Sequence, residues 1–327
     1  YRGLAEYFAL VTPSKENDYT GIYRNKNLIF LLCESFSPYV IDETLTPYMW
    51  ELTHRGFAFN FYNTVPTNTS NSEYCAITSL MPDHWYRDQG WSAFYSNSPA
   101  SNSATKYLPY TIGNQFKALG LRSMGFHYNY GRYYKRNKSH PNFGYDFYTL
   151  DNYLKGYSWP NSDLEMIKQA MPKILEKDKD GNITQFNAYF LTFSGHSSGY
   201  GTYSIENSIV KKYLSVKRSL TYKKETVKNY VTAHQDLEKA CEYIYKSLEE
   251  AGILQDTIIC ISADHYPYAL GLTDLSELAG KKLNATAQDK FLNQQKGIFT
   301  IYDAGMDGLV EISSPVCSYD ITPTLSN

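Results

Sequence analysis

The chain has 327 residues, 43% of them apolar, and a formal net charge of −2. That is enough apolar material for one large α/β domain or two smaller ones, and so small a charge gives no basic field, which excludes nucleic acid as an expected partner. No stretch approaches the roughly 20 consecutive apolar residues that cross a bilayer, and no charged and apolar leader opens the sequence.

The predicted elements run as follows. The first 25 residues read as a short helix and a polar connector. Leu28-Ile29-Phe30-Leu31-Leu32 reads as a buried strand leading into Cys33-Glu34-Ser35. Residues 44–56 read as a helix opened by Thr44 or Thr46, with Pro47 suited to its first turn, and the aromatic alternation of 57–64 predicts a second strand. Ser70 followed by Glu73 has the form of a capping box, which predicts a helix through Cys75, Ile77 and Leu80 to Met81. Residues 83–105, rich in Ser, Asn and aromatics, read as a surface excursion.

A helix is predicted from Thr111 to Leu119, stopped at Gly120, then a strand from Leu121 to Phe126 leading to His127. Residues 128–142 carry Arg132, Lys135, Arg136 and Lys138 and read as a solvated loop. Asp163–Glu176 reads as a helix, and residues 177–182 as an exposed turn that lacks the remaining ligands of a calcium loop. Ala188–Phe193 is a strand leading to Ser194-Gly195-His196. A long helix is predicted from Thr226 to Glu250, with Leu237, Ala240, Cys241, Ile244 and Leu248 on one face. Thr257–Ile261 follows as a strand into Ala263-Asp264-His265, and residues 320–325 read as the start of another helix. Strand, helix and strand in this order commit the chain to the α/β class, with no internal repeat and no strong linker.

Cys33, Cys75, Cys241, Cys260 and Cys317 are odd in number and not closely paired. They read as buried thiols, with no disulfide framework and no zinc ribbon. The 32 Tyr and four Trp suit a sugar or lipid-headgroup surface, or simply a Tyr-rich core.

The exits of parallel strands share one edge of a sheet, where ligands bind. Glu34, His196, Asp264 and His265 each follow a predicted strand, so residues more than two hundred positions apart can converge there. Each has an ordinary explanation alone: a polar strand end, a turn histidine, a capping hydroxyl in the case of Thr69. Together a carboxylate, an Asp-His pair and a hydroxyl at a helix N-terminus, whose positive field favours phosphate, make a metal site with a nucleophile inside it.

Glu34, Thr69-Ser70-Asn71-Ser72-Glu73, His196 in Ser-Gly-His and Asp264-His265 resemble the extracellular catalytic domain of lipoteichoic acid synthases, a sulfatase-like branch of the alkaline phosphatase superfamily. The resemblance runs from about residue 25 to 325. It implies a central mixed, mostly parallel sheet flanked by helices, with a short C-terminal subdomain, whole or truncated. Residues 26–327 would be the catalytic domain, and residues 1–25 a connector from an absent membrane anchor, at the outer face of a bacterial cytoplasmic membrane.

The resemblance makes Thr69 the nucleophile and, with Glu34, Asp264 and His265, a ligand of one divalent cation. Mn²⁺ is the expectation, with Mg²⁺ or Zn²⁺ compatible with such a donor set. His127, Tyr134, Arg136 and His196 fall on the substrate pocket, and His196 is also a catalytic candidate, since it or His127 would protonate the leaving oxygen or deprotonate the incoming hydroxyl. Tyr134 stands where Trp is expected, and Asn68 where some members have Lys. The implied reaction moves glycerophosphate from phosphatidylglycerol to a polyglycerolphosphate or glycolipid acceptor through a phosphothreonine. The Cys-x-Pro-x-Arg signature of true sulfatases is absent, since Cys75 is followed by Ala76-Ile77-Thr78-Ser79, and sulfate-ester hydrolysis is disfavoured. The alternatives are a phosphoethanolamine transferase, a phosphodiesterase, or a silent module that binds anionic cell-wall polymer; the intact set of Glu34, Thr69, Asp264 and His265 counts against the last.

Overall fold

In the computed structural model, residues 16–65, 68–82, 107–197, 202–283 and 286–327 are described, together with Glu6 and Leu10, and residues 290 and 291 by their backbone only. The helix expected before residue 16 lies largely outside this set, and the excursion expected at 83–105 lies wholly outside it. The strands are β1 (Asn27–Cys33), β2 (Gly56–Phe59), β3 (Tyr62–Asn63), β4 (Arg122–His127), β5 (Asp146–Tyr148), β6 (Phe186–Leu191), β7 (Thr257–Ala263), β8 (Phe299–Asp303), β9 (Leu309–Ile312) and β10 (Val316–Cys317).

Eight of them form one sheet in the order β5-β4-β6-β1-β7-β8-β2-β9. β1 lies parallel to β6 and β7, β4 is parallel to β6 and β5, and only β8 runs against its neighbours β7 and β2. Every residue of β1, β6 and β7 is buried, as expected where helices cover both faces of a parallel sheet. Alternate residues of β1 feed two cores. Ile29 and Leu31 join Met166, Ile167, Leu237 and Ile244 on one face, while Leu28, Phe30 and Leu32 join Tyr74, Ile77 and Ile112 on the other. This is the α/β class that the sequence predicts and the mixed, mostly parallel sheet that the resemblance implies. All five cysteines are free, four of them buried, and no helix among the described residues is long and apolar enough to cross a membrane.

Several boundaries differ, each for a physical reason. The aromatic stretch 57–64 is not one strand, because the chain turns at Asn60-Phe61 and β3 leaves the main sheet to pair with β10. The first long helix is only Pro47–Thr53. Its free N-terminal amides at Tyr48 and Met49 donate to the carboxylate of Glu238, about 190 residues away, at 3.0 and 2.9 Å, a cap that no local pattern reveals. The helix expected over 226–250 is two, Glu225–Ala233 and Gln235–Glu250. They meet at His234, whose buried ring packs against Phe36 and Tyr230 with centroids 5.6 and 4.3 Å away.

The expected capping box is also corrected. The helix spans Thr69–Thr78 and its N-cap is Asn68, whose Oδ1 accepts from the Asn71 amide at 3.1 Å. It stops at Ser79, in the left-handed region at φ 55°, short of Leu80 and Met81. The solvated loop expected at 128–142 contains a helix, Arg136–Asn142, in which Arg136, Ser139 and His140 are buried. A buried arginine needs a counter-charge, and here Glu73 supplies it.

Candidate active site

Four adjacent parallel strands, in the order β4-β6-β1-β7, end along one edge of the sheet. They deliver His127 as the last residue of β4, Ser194-Gly195-His196 after β6, Glu34 after β1, and Asp264-His265 after β7. Backbone and side chain tie these exits together. Thr192 Oγ1 accepts from the Glu34 amide at 2.9 Å, the Asp264 amide donates to the Cys33 carbonyl at 2.9 Å, and the Ser35 amide donates to Asp264 Oδ1 at 2.8 Å.

Gly195 sits where the β6 and β1 exits touch. A Cβ there would lie 2.3 Å from the Glu34 carbonyl oxygen and 3.0 Å from His234 Nε2. Gly195→Ala is therefore expected to push the two exits apart, lowering catalytic efficiency about 10- to 100-fold and stability by roughly 1–3 kcal/mol. Steady-state kinetics and thermal melting check both, and an unchanged kcat/KM would show that the exits tolerate separation.

Glu34, Asp264 and His265 are all buried, and one ligand atom from each lies within 4.8 Å of the others. His265 Nε2 is 3.4 Å from Glu34 Oε1 and 3.4 Å from Asp264 Oδ2. Burial alone would lower the His265 pKa, but Asp264 and Glu34 turn the shift upward. Burial and then the Glu34 charge push Asp264 up. Burial opposes ionisation of Glu34 too, yet His265 holds its pKa well below the ordinary value. The upward shifts mean that His265 and Asp264 hold protons that a bound divalent cation would displace.

The donor set fits a divalent cation on a further observation. Asp264 Oδ1 is used by the Ser35 and His265 amides, but Oδ2 is buried without a hydrogen-bond partner. An unpartnered buried carboxylate oxygen is costly, and a cation bound between the three side chains would satisfy it. His265 Nδ1 faces the Tyr266 carbonyl at 2.9 Å, so Nδ1 keeps its proton and Nε2, the nitrogen toward the carboxylates, is the one that would give up its proton to bind a cation.

Thr69 enters this cluster from the first turn of its helix. Its Oγ1 donates to Glu34 Oε2 at 3.1 Å and lies 3.2 Å from His265 Nε2, so the hydroxyl, the carboxylate and the imidazole form one unit. The helix N-terminus adds a positive field at the same point.

The other expected pocket residues are arranged around this unit. His127 is buried, its Nδ1 donating to the Leu191 carbonyl at 3.1 Å. His196 is half-buried, its ring against Phe193 and the exposed Trp159, with centroids 5.6 and 5.3 Å away. The Arg136 guanidinium lies over the Tyr134 ring at 5.1 Å, so the expected solvated arginine is a buried one. Trp159 and Tyr268, whose ring lies 4.8 Å from that of His265, were not foreseen from the sequence. Neither was Glu73, although its position four residues after Thr69 puts both on one helix face.

The sulfatase family model matches residues 26–324. The chain belongs to the sulfatase family. Lipoteichoic acid synthase-like YvgJ of Bacillus subtilis is 23% identical over 260 residues, which are 75% of this chain and 38% of that protein. The lipoteichoic acid synthase of Staphylococcus saprophyticus is 25% identical over 330 residues, 96% of this chain and 46% of that protein. This sulfatase-family chain thus spans less than half the length of these curated relatives. The crystal structure of lipoteichoic acid synthase LtaP from Listeria monocytogenes matches with a TM-score of 0.68 at 20% identity, covering 99% of this chain and 77% of that one. A protein of the alkaline phosphatase superfamily from Vibrio parahaemolyticus matches with a TM-score of 0.61 at 18% identity, covering 92% and 65%. These similarities establish the fold.

Two buried histidines of this sulfatase-family domain destabilise it in acid. Burial, and for His127 also Arg136, lowers His127 to about 3 and His234 to about 4. Both stay neutral in the folded protein while the unfolded chain protonates near 6.5. The unfolded state therefore binds more protons below that value, so the stability is fully present above pH 6.5 and is lost as pH falls toward 4. At pH 4.5 each histidine is expected to cost about 2–3 kcal/mol. Buried Asp163, pushed up to about 7, favours the folded state as pH falls, so the check is differential: from pH 7.5 to 4.5, His234→Gln should lose about 2–3 kcal/mol less stability than wild type, and identical losses would remove His234 from the account.

Proposed function

We propose that this domain transfers glycerophosphate from phosphatidylglycerol to a polyglycerolphosphate or glycolipid acceptor, in lipoteichoic acid or related envelope polymer synthesis, through a covalent intermediate on Thr69. The observation that carries this reading is Thr69 Oγ1, 3.1 Å from Glu34 and 3.2 Å from His265, at a helix N-terminus beside the unpartnered oxygen of Asp264. A hydroxyl so placed is an activated nucleophile for an anionic phosphoryl group. The relatives named as lipoteichoic acid synthases support the substrate class, and an extracellular position at the cytoplasmic membrane follows from the same reading.

Glu34, Asp264, His265 and Thr69 would hold one divalent cation, Mn²⁺ by preference. Bound there, it lowers the pKa of the Thr69 hydroxyl and offsets charge on the phosphoryl oxygens. Thr69 Oγ1 loses its proton to solvent and bonds to phosphorus, while the bond from phosphorus to the diacylglycerol oxygen breaks. His196, at the open side of the site, returns a proton to that leaving oxygen. His127, buried with Nδ1 tied to Leu191 and its pKa lowered to about 3, is a substrate contact through Nε2, so His196, having given up its proton, is the base that takes the proton of the incoming acceptor hydroxyl. That hydroxyl's oxygen bonds to phosphorus, the Thr69 ester breaks, and Thr69 Oγ1 regains a proton from solvent. Arg136 and Tyr134 take the phosphate and glycerol side of the donor.

Mass spectrometry of the Thr69 peptide after incubation with phosphatidylglycerol and Mn²⁺ tests the reading. A glycerophosphate adduct on Thr69 is the expected result. Diacylglycerol release without an adduct would favour hydrolysis by a phosphodiesterase, and neither would reject phosphatidylglycerol as the donor.

A further inference from the structure

Glu73 lies on the nucleophile's helix, one turn after Thr69, and is fully buried. Its carboxylate is filled by three side chains from two separate elements. Oε2 accepts from Arg136 Nε at 2.8 Å, and Oε1 accepts from His140 Nε2 at 3.0 Å and from the Tyr189 hydroxyl at 3.0 Å. His140 and Arg136 come from the helix after the Tyr133–Lys135 turn, and Tyr189 from β6. Burial opposes the charge on Glu73, yet Arg136 and then His140 keep its pKa well below the ordinary value. A buried ion pair of this kind is weak evidence for stability alone, because desolvating both groups offsets much of their attraction.

The chain leading into Arg136 carries a second sign of constraint. Tyr134 and Lys135 are consecutive non-glycine residues in the left-handed region, at φ 55° and 53°, a conformation that side chains adopt only when their surroundings enforce it. It lays the Tyr134 ring over the Arg136 guanidinium. With Nε held by Glu73, the plane of the guanidinium is fixed and its two terminal nitrogens are directed together.

We propose that Glu73 is a positioning residue, orienting Arg136 toward the phosphoryl group held at Thr69 so that nucleophile and phosphate grip are built on one helix face. This rests on the reading of Thr69 as nucleophile and Arg136 as phosphate contact. Glu73 itself touches no reacting atom.

The test compares Glu73→Gln, Arg136→Gln and the double variant in the Mn²⁺-loaded domain, with diacylglycerol release from phosphatidylglycerol micelles and thermal melting in parallel. Each single variant is expected to lose about 100-fold in kcat/KM, and the double no more than Arg136→Gln alone, because both act through one group. Losses that multiply, or a folded Glu73→Gln with wild-type kcat/KM, overturn the proposal. Should Glu73→Gln fail to fold, Glu73→Asp keeps the charge and shortens the side chain. It is expected to fold with at least a roughly tenfold loss of kcat/KM, and wild-type kcat/KM in it is equally fatal.

Calorimetric titration with inorganic phosphate separates this idea from the reaction assigned above. Phosphate binding weakened about tenfold by both Arg136→Gln and Glu73→Asp, without any diacylglycerol release by the wild type, keeps the Glu73 assignment and discards phosphatidylglycerol. Binding that neither variant alters overturns the Glu73 assignment.

Discussion

Replacing Thr69 by alanine is expected to reduce diacylglycerol release from phosphatidylglycerol by at least about 10³-fold, since a covalent mechanism has no second nucleophile to fall back on. The fold should survive. Thr69 is half-exposed in the first turn of its helix, the cap is made by Asn68, and the buried side of that helix is formed by Glu73, Tyr74, Ala76 and Ile77. Its melting temperature should lie within a few degrees of wild type, because only an intermediate-burial hydroxyl and its bonds to Glu34 and His265 are removed. Thr69→Ser keeps the hydroxyl and should retain measurable turnover and an adduct. Full activity in Thr69→Ala would remove the nucleophile assignment; low activity in both variants with intact melting would make Thr69 a contact of the site and not its reacting atom.

The second large effect concerns the cation. In its absence Glu34 and Asp264 face each other across one imidazole, with Asp264 Oδ2 unpartnered. A ligand that binds only the folded state stabilises it by mass action, by about 2.7 kcal/mol at one hundred times its dissociation constant. Saturating Mn²⁺ should therefore raise the melting temperature by about 5 °C in a domain of this size, and chelation should reverse it. Asp264→Asn removes one charge and the strongest unsatisfied donor atom. It is expected to abolish the Mn²⁺-dependent rise and turnover together, while the metal-free variant melts at or above the metal-free wild type because the Glu34 repulsion is relieved. An unaltered Mn²⁺ response in Asp264→Asn would exclude the cluster as the cation site.

The site was legible in the sequence where it depends on strand ends. Short apolar runs rich in Leu, Ile and Phe announce β1, β6 and β7, and a polar residue straight after such a run has one place to be, the edge of the sheet. What the sequence hid was long-range satisfaction of charge. Arg136 sits among Arg132, Lys135 and Lys138, a run that reads as solvated, and its partner Glu73 is 63 residues earlier. Glu73 in turn reads as a capping-box residue of Ser70 because Asn68 and Ser70 are both good caps, and only the fold decides between them. The break at His234 was invisible because the apolar period runs on through it, while the cap on Tyr48 and Met49 comes from Glu238 in a helix formed much later in the chain.

The central position of β1, between β6 and β7, also bears on how the domain is made. The contacts that close the site join residues 158 and 229 positions apart, Glu34 with Thr192 and Ser35 with Asp264, whereas Thr69 and Glu34 are 35 apart. Closing the longest of these loops in place of the shortest costs only about 1.7 kcal/mol of chain entropy, but it requires nearly the whole chain to be present and makes pairing slow. A chain still emerging from the ribosome cannot bring Glu34, Asp264 and His265 together until residue 265 is out and β7 is free to pair. On the reading of Thr69 as nucleophile, it stays an ordinary alcohol for most of synthesis and becomes reactive only when β7 docks beside β1.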